Sequence, residues 1–387
     1  MSGPRVVVAG LGGMGRRRLD ALRALGVAEI VLLRSAGGPA AAAAPHPAEL
    51  PVELPVELPA ELPVVTSLEA ALAAFPGGAP DAVFVCTPAS RHLAVALPAA
   101  RAGCHLFLEK PLAAGREGVA ALLDEVERRR LVTMVGFDLR FEPGLVRARE
   151  LLDQGTVGPL RSLRSEVGQH LADWRPGRDY RGTVSARSEL GGGVILELCH
   201  ELDLALWLAG PAAAVSCRAV RVGPLEMDAE NLAEIVLDLE GGGLAAIHLD
   251  CLARAPTRTL RLTGDGGTIL WDYHAKSVAW QSPGPGGAAG DWQRFDYPEH
   301  RREERFRREV EVFLGALGGE RHRQVAAGRG ADEDRGERPP VDARGGAAVL
   351  ELALAAKESA RRGAVVPLAE EGRTALAAGA GGVGRRG

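Results

Sequence analysis

A glycine turn between an apolar run and an amphipathic stretch constrains this chain most. Arg5–Ala9 reads Arg-Val-Val-Val-Ala, a β-branched run typical of a buried strand. After it comes Gly10-Leu11-Gly12-Gly13-Met14-Gly15, and leucines then recur at helical spacing as far as Leu25. With the next apolar run, Ala28–Leu33, these elements fit within about 30 residues, the size of a βαβ unit. The N-terminus is therefore predicted to begin a parallel sheet.

The order G-x-G-x-x-G suits the pyrophosphate of a dinucleotide. Gly10 permits a tight turn, Gly12 lets the backbone approach the phosphates, and Gly15 allows close helix–strand packing. The free N–H groups and the dipole at the helix N-terminus attract anions. Gly10, Gly12, Gly13, Met14 and Gly15 are the predicted nicotinamide-dinucleotide site. The alternative is a structural turn, since the chain has 50 glycines.

The end of the second predicted strand bears on the choice between NAD and NADP. NAD-specific sites usually carry an acid there for the ribose hydroxyls, and this chain has Arg34-Ser35. An arginine suits a 2′-phosphate or the adenine face, and the serine can donate to the phosphate. The pair favours NADP over NAD, with an ordinary surface arginine as the alternative.

Strands and helices alternate through the first 135 residues, which predicts a doubly wound parallel sheet of the Rossmann type. Residues 37–63 are a low-complexity insert with four Pro-x-Glu-Leu units from Pro47 to Leu62. Because regular prolines exclude helix and central strand, we expect an extended surface excursion. It is either a partner-docking loop or an expanded loop without a role.

Two polar segments fall at predicted carboxyl ends of strands, where open parallel sheets bind ligands. One contains Thr87, Pro88, Ser90 and His92, and the other is Glu109-Lys110-Pro111. The predicted cofactor contacts here are Thr87, Pro88, Ser90, His92, Glu109 and Lys110. The chain has three lysines, Lys110, Lys276 and Lys357, and otherwise uses arginine. A lysine can share its proton when buried whereas a guanidinium cannot, so a retained Lys110 suggests chemistry. A lysine without a role there is the alternative.

Residues 136–363 are predicted to form an α+β domain on an open, mainly antiparallel sheet, followed by a disordered tail at 364–387. Within it, a helix is predicted over Val194–Leu208 after three glycines. Glu197, His200 and Asp203 would then share one helix face, an arrangement suited to general-base chemistry. A capped helix with a solvated acidic face is the alternative. No second histidine completes HExxH after His200-Glu201, so no metal site is predicted.

Composition excludes several classes of function. The net charge is −4 and no basic stripe is present, which argues against nucleic acid as a partner. Five scattered cysteines suggest free thiols in a reducing, cytoplasmic compartment. No uncharged apolar run of about 18 residues predicts a membrane helix, and the opening residues do not resemble a signal peptide.

In this order, the motifs resemble the glucose–fructose oxidoreductase / inositol dehydrogenase / rhizopine-catabolism (Gfo/Idh/MocA) family from residue 5 to about 363. The resemblance is carried by the glycine turn, the two strand-end segments and the three segments Gly136-Phe137-Asp138-Leu139-Arg140-Phe141, Gly191-Gly192-Gly193 and His200-Glu201-Leu202-Asp203. The stretch Asp173–Arg181 is similar to a subgroup associated with sugar or nucleotide-sugar modification.

The resemblance implies NAD(P)-dependent hydride transfer, with Lys110 beside the nicotinamide and the reacting carbon and His200 as acid/base. It also implies dimers or tetramers through the outer face of the second sheet. Two positions depart from the family. Leu196 stands where many members have Asp, leaving Glu197 three residues before His200, and Asp138 replaces a frequent Asn or His.

The sequence thus predicts an oxidoreductase acting on a secondary hydroxyl or ketone of a sugar, nucleotide-sugar or cyclitol. Besides Lys110 and His200, the predicted substrate contacts are Asp138, Arg140, Trp174, Tyr180, Arg181 and Glu197. Loop or interdomain contacts are the alternative for Arg140, Trp174, Tyr180 and Arg181. The alternative functions are a non-catalytic dinucleotide-dependent regulator and a dehydrogenase with a non-sugar substrate.

Overall fold

The chain folds into two units that are interleaved along the sequence. A computed structural model describes residues 3–34, 61–76, 78–284, 289–317 and 339–368. The first unit comprises Met1–Gly136 with Arg302–Gly346, and the second comprises Phe137–Arg301 with Ala347–Gly387. The sequence predicted a continuous second domain over 136–363, so the return of the chain to the first unit was not anticipated.

The first unit is built on a parallel six-stranded sheet. Its strands are β1 Arg5–Ala9, β2 Glu29–Leu33, β3 Val64–Val65, β4 Ala82–Val85, β5 His105–Leu108 and β6 Thr133–Val135. The spatial order is β3-β2-β1-β4-β5-β6, with every pairing parallel. This is the doubly wound Rossmann order, in which the strand order reverses between β1 and β4. The predicted fold class is confirmed.

Burial on both faces explains why these strands are nearly continuous apolar runs. Val6, Val7 and Val8 of β1 are fully buried, as is the whole of β4. The four helices between the strands are α1 Gly13–Ala24, α2 Leu68–Ala73, α3 His92–Arg101 and α4 Val119–Arg129. β3 was not predicted, because it directly follows the Pro-x-Glu-Leu repeat, most of which lies outside the described residues.

The second unit contains a nine-stranded sheet. Its strands are β7 Leu160–Gly168, β8 Ala212–Val220, β9 Leu232–Leu239, β10 Leu244–Asp250, β11 Thr257–Gly264, β12 Gly267–Asp272, β13 Ser277–Pro283, β14 Ala289–Asp296 and β15 Val366–Pro367. The order is β14-β13-β12-β11-β7-β10-β9-β8-β15, and only the described β7–β10 pairing is parallel. β14 was missed, and β15 pairs with β8 inside the segment expected to be disordered. Residues 369–387 of that segment lie outside the described residues.

Five further α-helices are described in the two units. They are α5 Pro143–Asp153, α6 Val194–Glu197, α7 His200–Ala209, α8 Arg302–Ala316 and α9 Ala343–Arg362. α8 belongs to the first unit because Phe313 packs edge-on against the stacked rings of Phe84 and Phe107, at centroid distances of 5.4 and 5.6 Å. Residues before α9 extend this unit, since Val135 N–H donates to Val341 O at 2.8 Å.

The cysteines fit the expectation of free thiols. All five are buried and none forms a disulfide. Burial raises the pKa of Cys104 to about 11 and that of Cys217 to about 12, so these thiols stay protonated. Within the described residues, no helix is long and apolar enough to cross a membrane.

An ionisable cluster surrounds His248 on the more exposed face of the second sheet. His248 Nδ1 lies 2.6 Å from Glu234 Oε1 on β9, and Nε2 lies 3.1 Å from Asp250 Oδ2 on β10. Glu166 of β7 stands opposite His248 in register, and Arg218 of β8 stands opposite Glu234. Burial opposes the charged form of His248, but the two bonded carboxylates outweigh it and raise its pKa.

Because the folded-state pKa of His248 is raised, the His248 cluster should stabilise the fold fully below the unfolded pKa of about 6.5. That contribution is lost as the pH rises through the folded-state pKa. We expect His248→Gln to lower the urea-unfolding free energy at pH 5.5 and to match the wild type at pH 9. A wild-type-to-variant difference that does not change with pH would contradict this linkage.

Candidate functional site

The glycine turn lies at the carboxyl end of β1, beside the switch point of the first sheet. Gly10 has φ +95°, and a Cβ there would lie 2.6 Å from Cys86 O. A Cβ on Gly15 would lie 1.8 Å from Gly10 O, so only glycine allows α1 to pack against the turn. Around Gly12, in contrast, a Cβ would meet nothing within 4 Å. Two glycines therefore serve the protein's own packing, and the third borders open space.

These residues fit a dinucleotide. α1 begins at Gly13, and its N-cap residue Gly12 has no side chain to accept from the first N–H groups, so the helix start suits an anion. On the neighbouring strand end, the buried Oγ1 of Thr87 has no hydrogen-bond partner among the described residues. A buried unsatisfied hydroxyl is unfavourable in a finished fold and suits a position that a ligand completes. Within the described residues, no group of three or more His, Cys, Asp or Glu side chains could hold a metal ion.

His92 has a structural contact that the sequence did not reveal. Its Nε2 lies 2.8 Å from Thr87 O, and its Nδ1 lies 3.3 Å from Leu112 O. Burial lowers the pKa of His92 and keeps the ring neutral. A neutral imidazole carries one N–H, so His92 can donate to only one of these two main-chain carbonyls, which lie in the segments after β4 and after β5. Ser90 is exposed and Pro88 is partly exposed in the same segment.

Glu109 and Lys110 follow β5 at the same edge of the sheet. Glu109 N–H donates to Val85 O at 2.9 Å, which extends the pairing with β4 beyond the strand. The Glu109 carboxylate is buried and accepts a hydrogen bond from Arg18 Nε at 2.7 Å. Lys110, the next residue, is partly exposed, and its peptide bond to Pro111 is cis.

Arg18 is the residue that sequence reasoning missed in this unit. Its guanidinium is fully buried and forms ion pairs with both Glu109 and Glu309, the latter at 2.6 Å between NH1 and Oε2. Burial would lower the pKa of Arg18, but the two carboxylates outweigh it and raise the pKa. The run Arg16-Arg17-Arg18 reads as solvated surface, and no sequence signal marks its third member as buried.

Arg34 stands at the end of β2, as predicted. Its side chain is exposed, and its main-chain N–H donates to Val65 O at 2.9 Å. Ser35 lies outside the described residues. The strand end thus presents a guanidinium where an NAD-specific site would usually present an acid.

In the second unit, the helix predicted over Val194–Leu208 is interrupted. α6 ends at Glu197 and α7 starts at His200, with a turn at Leu198 and Cys199 between them. Glu197 accepts a hydrogen bond from Ser185 Oγ at 2.8 Å. Because of the turn, the continuous helix face expected for Glu197, His200 and Asp203 does not form.

Asp138 supplies a carboxylate to His200. Its Oδ1 lies 3.4 Å from His200 Nε2, and both side chains are about nine-tenths buried. The ring of Phe137 meets the His200 ring edge-on, with centroids 5.6 Å apart. The sequence predicted Glu197 as the carboxylate beside His200. In the structure Asp138 stands there instead; it is distant in sequence and was predicted only as a substrate contact.

Arg140 forms an ion pair within the second unit. Its Nε and NH2 bond the two carboxylate oxygens of Asp203 at 3.0 and 2.8 Å. Its Cζ lies 5.2 Å from the centroid of the Trp207 ring. Both side chains of this two-bond ion pair are buried. The pair joins the segment after Phe137 to α7.

The other predicted substrate contacts lie in the polar loop after β7. Trp174 Nε1 donates to Gln169 O at 2.9 Å, and Tyr180 Oη accepts from Glu226 N at 3.1 Å. Arg181 is exposed and pairs with Asp179 and Glu226. The structure joins Tyr180 and Arg181 through Glu226, and it places Asp138 against His200 in a separate group.

Comparisons with known proteins find similar sequences and structures. Residues 4–137 match the profile of the oxidoreductase family with an NAD-binding Rossmann fold, and residues 145–270 match the GFO/IDH/MocA C-terminal domain. The UDP-N-acetylglucosamine 3-dehydrogenase of Acidithiobacillus ferrooxidans is 30% identical over 243 residues, which are 62% of this chain and 71% of that protein.

Two further relatives concern levoglucosan. The levoglucosan dehydrogenase of Pseudarthrobacter phenanthrenivorans is 34% identical over 138 residues, which are 35% of this chain and only 34% of that protein. A solved levoglucosan dehydrogenase in complex with NADH and levoglucosan superposes with a TM-score of 0.73 at 20% identity. The superposition covers 95% of this chain and 99% of the levoglucosan dehydrogenase chain.

The fold and the glycine turn define a dinucleotide-binding oxidoreductase. With both profiles and the dehydrogenase from Acidithiobacillus ferrooxidans, the chain belongs to the GFO/IDH/MocA family.

The glycine turn offers a matched pair of substitutions. Gly12→Ala adds a methyl group into open space, so we expect an unchanged melting temperature and an NADH Kd raised by at least about tenfold. Gly15→Ala forces a clash with Gly10 O, so the melting temperature should fall as well. Thermal unfolding and fluorescence titration with NADH measure both. Wild-type NADH affinity in Gly12→Ala would contradict the placement of the pyrophosphate.

Proposed function

We propose that the protein reversibly oxidises a secondary hydroxyl of a sugar, nucleotide-sugar or cyclitol with a nicotinamide dinucleotide. The observation that carries this is Lys110, which follows β5 at the sheet edge that also holds the glycine turn and Thr87. Relatives named as dehydrogenases of UDP-N-acetylglucosamine, levoglucosan and inositol support the substrate class.

When bound, the nicotinamide ring supplies the hydride acceptor. The Lys110 ammonium group donates a hydrogen bond to the substrate oxygen and stabilises the negative charge that develops there. His200 accepts the hydroxyl proton on a ring nitrogen as the C–H bond breaks. Asp138, 3.4 Å from His200 Nε2, stabilises the protonated ring. In the reverse direction, His200 returns the proton and Lys110 polarises the ketone.

Arg34 supports NADP as the preferred cofactor, because an exposed guanidinium at the end of β2 can pair with a 2′-phosphate. We expect Arg34→Asp to weaken NADPH binding by about tenfold or more and to leave or improve NADH binding. Parallel fluorescence titrations with the two reduced cofactors measure the ratio of their Kd values. If that ratio is the same in the variant and the wild type, Arg34 does not read the 2′ position.

The proposed protein partner is a second copy of this chain. Val236 and Leu244 on the second sheet are 39% and 49% exposed, although each stands in a strand whose alternate residues are buried. Exposed apolar residues on one sheet face fit burial against a second copy of the chain. We therefore propose a homodimer or homotetramer through this face.

Removing Lys110 or His200 should slow the chemical step and spare cofactor binding. We expect Lys110→Met and His200→Gln each to lower kcat by on the order of 10²–10⁴. The NADH Kd should stay within about threefold, since the pyrophosphate contacts are intact. Turnover is followed by cofactor absorbance with a panel of inositols, levoglucosan and UDP-sugars.

Lys357→Met is the matched control for Lys110→Met. Lys357 lies 3.2 Å from Glu230 in the second unit, and its loss should leave turnover unchanged. Equal turnover of every responsive substrate by Lys110→Met and the wild type would show the catalytic assignment to be wrong. NADH binding without turnover of any sugar would instead favour the non-catalytic regulator.

A further inference from the structure

We infer that Arg18 is a positioning residue for Lys110 and acts through Glu109. The inference rests on the proposed role of Lys110 and adds a residue to it. Arg18 has no place in the substrate site, because its guanidinium is fully buried within the first unit. Its effect on the reaction must therefore pass through the residues that it holds.

The guanidinium of Arg18 is fixed on several sides. Nε donates a hydrogen bond to Glu109 at 2.7 Å, and NH1 forms an ion pair with Glu309 at 2.6 Å. Cζ lies 4.4 Å from the centroid of the Phe107 ring and 5.2 Å from that of Phe306. A planar fork between two carboxylates and two rings has few alternative positions, which makes it a rigid support for the Glu109 side chain.

Glu109 transmits this support to Lys110 because the two residues are adjacent. The main chain of Glu109 is bonded to Val85 and its carboxylate to Arg18, so the residue is held at both ends. Two residues beyond Lys110, the Leu112 side chain is fully buried. The segment that carries Lys110 is thus fixed before and after it, while Lys110 itself reaches the partly exposed surface.

Arg18 also belongs to α1, the helix that starts at the glycine turn. The same rigid helix therefore offers its N-terminus to the pyrophosphate and, about one turn later, holds the support of Lys110. This arrangement fixes the lysine relative to the phosphate site. Errors of about 1 Å in the placement of a reacting group reduce rates by up to about 10²-fold.

The test uses two conservative variants and one control. Arg18→Lys keeps the charge and loses the two-sided fork, and Glu109→Gln keeps the shape and loses the charge. The control is Arg5→Lys, since Arg5 forms a similar fork with Asp81 at the opposite end of β1. If Arg18→Lys does not fold, Glu109→Gln carries the decision.

The direct readout is competitive acetylation of the full-length protein with acetic anhydride, followed by peptide mass spectrometry. The chain has three lysines, so Lys276 and Lys357 are internal references for Lys110. We expect the acetylation rate of Lys110 relative to both references to change by about twofold or more in Arg18→Lys and Glu109→Gln. It should stay at the wild-type value in Arg5→Lys.

Kinetics provide the second readout. Arg18→Lys should lower kcat by about tenfold and change the NADH Kd and the substrate KM by less than about twofold. In a Lys110→Met background the same change should cause no further loss. A merely structural arginine would lower stability without altering the relative acetylation of Lys110.

Unchanged relative acetylation of Lys110 in the folded variants would overturn the inference, whatever the kinetics show. If acetylation changes and Lys110→Met retains wild-type kcat, the positioning stands and the proposed function of Lys110 fails. The two failures are therefore distinguishable.

Discussion

The approach of α1 to the turn after β1 sets the geometry of the first unit. A Cβ on Gly15 would lie 1.8 Å from Gly10 O, so the helix packs this closely only because both residues are glycine. That contact places the helix N-terminus beside the switch point and places Arg18 next to the end of β5. Its buried ion pair there holds Glu109, the residue before Lys110, and the pair with Glu309 joins α8 to the same core.

In the second unit, the proposed role of His200 depends on a different local arrangement. α6 and α7 are separated by a turn, and His200 begins the second of them beside Asp138. Arg140, two residues after Asp138, donates hydrogen bonds to both carboxylate oxygens of Asp203 on α7. This fork holds the short segment after Phe137 against the helix, and it thereby keeps the Asp138 carboxylate close to the His200 ring.

Local patterns predicted the parallel sheet and its ligand-binding edge. Strands such as Leu160–Gly168 and Leu232–Leu239 are predictable in this way, because alternation and flanking turns are encoded nearby. Partners distant in sequence were not predictable. Arg18 and Glu309 are 291 residues apart in the sequence, and no local pattern near either residue predicts their contact. The break before His200 was also missed, since Leu198 and Cys199 suit a helix as well as a turn.

Whether Lys110 and His200 serve one hydride-transfer step is tested most directly by a double-mutant cycle on the single-turnover rate. The variants are Lys110→Met, His200→Gln and their combination, each saturated with cofactor and a responsive sugar. If both residues act on the same transition state, the double variant should lose little more than the weaker single variant. Losses that multiply would show that the two side chains act independently and would contradict the shared step.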